Sequence, residues 1–218
     1  MGEQVRIYGK ELPNIEYSKS AETSFVDSPN SMYQIPFYKD EEYFTNLESY
    51  TTFIKNCEKK VRENDRYSKY KKYLQGEIKL DRCQVFKLLD TNDCDIEMHH
   101  GPIFTLYDIC AIVLAYFIDK GWQISTFRIA QAVLEEHFEN RVQVVMLSSS
   151  AHEQVHERNI FIHYNQAYGD INAFIKKYHH VFTEYYEDKL NRYIDRCMMM
   201  ESNDFDVFTL NKKLWEGK

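Results

Sequence analysis

Two pairs of histidines limit what this chain can fold into more than any other feature. His99-His100 closes the segment Asp95-Ile96-Glu97-Met98. His152 and His156 follow about fifty residues later, in Ser150-Ala151-His152-Glu153-Gln154-Val155-His156. A spacing of four on a helix puts both imidazoles on one face, ready to share one metal ion. A third imidazole from the His-His dipeptide completes a three-histidine site with open coordination positions. The spare histidine would then stand beside the metal as a base.

Composition bounds the rest. At 218 residues, 44% hydrophobic and 28% charged, the chain is expected to be a soluble globular protein, one good-sized domain or a compact domain with an extension. The longest apolar run, Ile109 to Ile118, is about half a membrane span, so no membrane partner is expected. The first residues, Met1-Gly2-Glu3-Gln4-Val5-Arg6, hold no apolar signal core, and Arg6 and Ile7 stand where a myristoylation motif needs a hydroxyl. The five cysteines (57, 83, 94, 110 and 197) are odd in number and form no C-x-x-C, which fits reduced thiols in the cytoplasm. Seventeen tyrosines, many Lys, Asn and Ile, and seven glycines suggest an AT-rich coding genome, that of a low-GC bacterium or its phage; for a phage protein the compartment is the host cytoplasm.

A net charge of −7 argues against sequence-independent DNA binding by the whole surface. The charge is uneven. Residues 1–49 hold nine acids and four bases, whereas residues 55–82 hold ten bases (Lys55 through Arg82) against five acids. That stretch is either a local nucleic-acid face or a solvated helix surface.

Periodicity predicts a helix-rich α+β chain in four stretches. Residues 1–40, broken by Pro13, Pro29 and Pro36, read as an extended arm. Residues 41–80 read as a helix over 41–63 and a basic helix from Arg66 to Leu74, ended near Gly76. Residues 81–165 hold the histidines. Cys83–Leu89 and Cys94–His99 flank Asp90-Thr91-Asn92-Asp93 as a hairpin, and Gly101-Pro102 ends it. Two helices follow over 104–138, the first opened by Thr105 and Asp108 as a capping box and apolar almost all round, the second capped by Ser125. A strand over Val142–Leu147, a short helix capped from Ser148-Ser149-Ser150 and carrying His152 and His156, and a short strand over Asn159–Tyr164 complete the stretch. Residues 166–218 read as one long amphipathic helix from Gly169-Asp170 to about Met200, then a docking tail from Phe205 to Trp215.

The strand, His-His and His-x-x-x-His together resemble the HNH nuclease superfamily in its colicin-type form, whose core is the ββα-metal fold. The resemblance covers Cys83–His100 and about Val142–Arg158. Glu97-Met98-His99-His100 matches the family's Glu-x-His-His letter for letter, and His152 to His156 matches its helix. The resemblance implies that His99, His152 and His156 hold one divalent ion, Mg, Zn, Mn or Ni. It implies that His100 is the general base and that Glu97 braces the loop. An imidazole with a pKa near neutral suits a base, provided its second ring nitrogen is held. Gln143 occupies the counted position of the family's middle Asn and Asn140 is the nearest asparagine; Asn140 is taken as the residue that orients His100. Ser148 and Ala151 replace the cysteines of the zinc knuckle that many members carry, and the two inserted helices replace a short loop.

Two functions follow from the resemblance. One is a metal-dependent endonuclease that hydrolyses DNA. The other is a non-catalytic phage protein of the same fold, structural or host-directed, that keeps the metal as a staple and meets a protein partner or a second copy through its arm or inserted helices. His137 and His163 are expected to be structural or surface residues, His179-His180 to have no role, and Cys83 and Cys94 to be packed thiols.

Overall fold

Small polar residues start the helices. Asn46, Asn64, Thr105, Ser125 and Ser148 each stand in extended backbone and turn a side-chain oxygen onto free N–H groups one turn ahead. In the computed structural model, residues 38–201 are described, together with the backbone of a strand pair, β1 (Arg6–Ile7) and β2 (Lys10–Glu11). The chain divides into two units, Met1–Lys39 and Asp40–Lys218. The expectations for the N-terminal arm (apart from that strand pair) and for the tail from Phe205 fall outside the described residues.

The second unit is a helix-rich α+β structure. It runs α1 (Leu47–Arg62), α2 (Asp65–Gly76), β3 (Ile96–His100), α3 (Leu106–Asp119), α4 (Thr126–Phe138), β4 (Val144–Ser148), α5 (Ser149–His156), α6 (Ile171–Tyr178) and α7 (Glu184–Glu201). The helix expected over 41–63 is a 3-10 turn at Glu41–Thr45 followed by α1, because Asn46 breaks the first and caps the second. Apolar residues near a 3.6 period on α1 (Phe53, Ile54, Cys57, Val61) and on α2 (Tyr67, Tyr70, Leu74) are buried against the inserted pair α3 and α4. The apolar run of α3 is buried nearly throughout, as its composition requires. Its capping box is present, and Lys189 of α7 adds an ion pair at 2.5 Å to the same Asp108 carboxylate. No helix among the described residues is long and apolar enough to cross a membrane.

The sheet departs from the expected hairpin. β3 pairs antiparallel with β4, not with Cys83–Leu89, in the register Glu97 with Leu147, His99 with Val145 and His100 with Val144. The 83–89 segment forms turns closed by one bridge between Arg82 and Asp90, with Cys83 N–H donating to the Leu89 carbonyl. Gln84 then docks on the far edge of β4: its N–H donates to the Met146 carbonyl at 2.8 Å, and its side-chain oxygen accepts from the Met146 N–H at 2.5 Å. Tyr168 bridges Val144 beside it. β4 is therefore central and all five of its residues are buried. Val144 and Met146 enter the helical core, whereas Val145 and Leu147 enter a smaller cluster with Cys83, Ala151, Ile162 and Ala167, as the two-residue period of a strand demands.

Two further expectations are corrected. Asn159–Tyr164 is not a strand: it loops into a 3-10 turn at Tyr164–Gln166, and the residue that reaches the sheet is Tyr168. The long C-terminal helix is two helices, α6 and α7, parted by a 3-10 turn at His179–Val181 and extended backbone at Phe182. The break lets both pieces pack on the core, with Phe174 and Tyr178 buried from one and Tyr186 and Leu190 from the other.

Candidate metal centre

The strand β3 delivers His99 and Glu97 to one face of the sheet, and α5, leaving β4 at once, lies across that face. Ser148 ends β4 and caps α5 with its side chain, so the first turn of the helix is tied to the strand that His99 faces. His152 and His156 then project from one side of α5, one turn apart. Ligand nitrogens of His99, His152 and His156 all lie within 4.8 Å of one another. The His152 and His156 Nε2 atoms are 3.1 Å apart, and the His99 ring centre is 5.0 and 5.1 Å from theirs. Metal–nitrogen bonds of about 2.0–2.1 Å set ligand nitrogens on the order of 3 Å apart, so the spacing fits a shared ion. His99 and His152 are partly buried and His156 is exposed, which leaves the site open on one side.

Glu97 holds the arrangement. Its Oε2 accepts from His152 Nδ1 at 2.6 Å and its Oε1 accepts from the Ser149 hydroxyl at 2.9 Å. Because the carboxylate can only accept, His152 carries its proton on Nδ1 and presents the Nε2 lone pair to the site. The bonds from Ser149 and His152 hold the Glu97 carboxyl below its usual range. Burial, reinforced by the neighbouring His152 and His156 and by the Arg62 guanidinium, pushes the His99 pKa down to about 4, so the imidazole stays neutral as a ligand must. Gly101 leaves the room that this ring needs: a Cβ there would come 3.1 Å from His99 Nε2.

His100 and Asn140 are not brought to the triad. His100 is 5% exposed and points into the helical core, where Tyr67 stacks on it with ring centres 6.0 Å apart. Its Nε2 lies 2.9 Å from Nε2 of His137, a fully buried residue of α4. His137 Nδ1 donates to the Val133 carbonyl at 2.7 Å, so neutral His137 accepts at Nε2 and His100 donates. Burial first, then the neighbouring imidazole, holds His100 well below its ordinary pKa. The general-base role expected of His100 does not fit this placement, because consecutive strand residues face opposite sides of a sheet. Asn140 ends α4 in the left-handed conformation (φ 54), with its backbone carbonyl accepting from Asp170 N–H at 2.6 Å. It serves the turn rather than the His100 ring.

His137, expected to be a structural or surface residue, is structural. It continues the inward stripe of Ile129, Ala130, Val133 and Leu134 along α4, so its burial was readable from the helical period. The bond that Ser149 gives to Glu97 had no signal beyond its place in the capping run.

A sequence model described as the Bacteriophage G278-like virion protein matches residues 5–214. The chain belongs to this family. It is a phage virion protein, in keeping with the phage origin expected from its amino-acid usage. The match spans α1 through α7, so the triad, the inserted helices and the buried His100–His137 pair all lie within the matched region of this G278-like virion protein. No curated protein and no solved structure is significantly similar to it.

Proposed function

We propose that this virion protein is a metal-dependent endonuclease of the HNH type, with β3, β4 and α5 as its ββα-metal unit and DNA as its substrate. The observation that carries the reading is the convergence of three neutral-capable imidazoles from a strand and a helix around one open point, with Glu97 fixing the tautomer of His152. A divalent ion there (Mg²⁺, Zn²⁺, Mn²⁺ or Ni²⁺) would supply Lewis acidity toward phosphoryl oxygens and lower the pKa of water. His99, His152 and His156 would hold it and leave positions free on the exposed side. Arg62, close enough to depress His99 electrostatically, and the exposed cations of α1 and α2 would meet the phosphate backbone. With His100 turned into the core, a proton lost from water on the exposed side of the site would have to go to solvent.

A second reading is favoured by the buried His100–His137 pair and by membership in a virion protein family: the ion is a structural staple, and the protein works through a partner protein or a second copy. One experiment separates the two. Supercoiled plasmid is incubated with the purified full chain and each divalent ion in turn. Nicking that needs metal, is lost in His152→Ala and persists when His100→Phe is combined with His137→Leu supports the nuclease. Intact plasmid under every ion, with metal still raising the melting temperature, supports the staple.

A further inference from the structure

α3, α4 and α6, with Trp122 of the α3–α4 connection, line an open-sided cavity of about 330 Å³ that shares no residue with the histidine triad. Its walls are rings. Trp122 stands edge-on to Tyr116 (centres 5.7 Å apart) and to Phe117 (5.1 Å), and Tyr116 stands edge-on to Tyr178 (5.1 Å). Trp122 is 47% exposed, so its indole is open to a guest at the mouth. The floor is a closed ion cluster. Buried Glu136 accepts from Arg141 at 2.5 Å, from Lys177 at 2.6 Å and from the Tyr178 hydroxyl at 2.9 Å. Burial alone would raise its carboxyl pKa, but these donors outweigh that and hold it below the usual range. The floor therefore offers no vacant carboxylate to a cation, and the second carboxylate of the lining, exposed Glu135, accepts from the Gln131 amide at 3.3 Å.

The other cation in the wall is differently placed. Arg128 lies over the Phe117 ring at 5.6 Å, and its one side-chain hydrogen bond is to Gln123 at 3.5 Å; no carboxylate of the described residues pairs with it. An open indole and an unpaired guanidinium in one cavity call for a ligand that is planar at one end and anionic at the other. Bases stack on aromatic side chains whatever their sequence, and a guanidinium matches phosphate in geometry as well as charge. The volume is within the range of small-ligand pockets.

We propose that this cavity binds a nucleoside monophosphate group, free or at the end of a strand, with the base against Trp122 and the phosphate on Arg128. The inference does not rest on the nuclease reading, because no metal and no triad residue takes part in it.

The test follows Trp122 emission in the full chain carrying Trp215→Phe, so that one indole reports. The probes are dAMP, deoxyadenosine, inorganic phosphate and a short 5′-phosphorylated oligodeoxyadenylate. The expected result is saturable quenching by dAMP or by the oligonucleotide, with deoxyadenosine at least about tenfold weaker, the worth of one charge-assisted hydrogen bond. Arg128→Ala, checked for an unchanged far-UV spectrum, should erase the difference between nucleotide and nucleoside. Quenching by the oligonucleotide alone assigns the site to strand ends, whereas equal quenching by dAMP assigns it to free nucleotide. No saturable quenching by either, or an Arg128→Ala variant that still prefers nucleotide over nucleoside, overturns the proposal.

Discussion

His99 and His100 are neighbours in sequence and lie on opposite faces of one strand: His99 joins His152 and His156 at the surface, and His100 meets His137 in the core at 2.9 Å. The first arrangement needs neutral nitrogens turned toward a shared point. The second needs two neutral rings bonded to each other away from water. One dipeptide thus supplies both a candidate metal ligand and a core contact.

Metal should stabilise the fold through the triad. At a free Zn²⁺ or Ni²⁺ concentration of a hundred times Kd, linkage predicts about 2.7 kcal/mol, or roughly 5–10 °C in melting temperature for a chain of this size. His156→Ala, at an exposed position, should leave the metal-free melting temperature unchanged and remove the metal-dependent rise. Differential scanning calorimetry with and without chelator measures both. A rise that survives His156→Ala would place the ion elsewhere.

Glu97 should act through His152. Glu97→Gln retains the shape but loses the charge that fixes the imidazole, and a change of this kind costs about 10–100-fold in metal affinity. Calorimetric titration of Zn²⁺ reads the affinity. An unchanged Kd would mean that His152 is oriented by its helix alone.

Acid should unfold the protein through the buried imidazole pair. Burial pushes the His137 pKa down to about 4 from 6.5, against smaller opposing contributions from the Val133 carbonyl and Glu136. Between those values the unfolded chain binds the proton and the folded chain does not, so stability rises with pH across the window. The contribution is present in full above about 6.5 and is lost as pH falls toward 4; it amounts to roughly 3–4 kcal/mol. Urea unfolding in chelator at several pH values, for the native chain and for His100→Phe combined with His137→Leu, isolates it. Replacing both partners by apolar groups leaves no unpaired donor, so the double variant should fold and show a flatter pH dependence. Equal slopes would remove the pair as the cause.

Gly169 should tolerate no side chain. It has φ +122, and a Cβ there would lie 2.1 Å from the Val142 carbonyl oxygen, beside the bridge of Tyr168 to Val144. Gly169→Ala should cost roughly 2–4 kcal/mol, by strain and by displacement of the chain from β4. Chemical denaturation gives the value, and a cost below 1 kcal/mol would show that the chain has room to shift.

Much was legible in the sequence because it is local. Thr105 with Asp108, Ser125 and Ser148 announce helices in their own residues, and the four-residue spacing of His152 and His156 needs nothing beyond α5. The apolar run of α3 declares its burial in the same way. What the tertiary structure alone decided is pairing and facing. Two strands with the same alternation are interchangeable as partners on paper, so Cys83–Leu89 and Val144–Ser148 competed for β3. The choice fell to β4 because it can be covered on both faces, by the helical core and by the cluster around Ala151. Once that register was set, the two-residue period sent His99 outward and His100 inward. The sequence, through its resemblance, already named His99, His152 and His156 as the three that would converge; only the sheet decided that His100 turns away from them into the core, since which face a strand residue meets is set by the pairing.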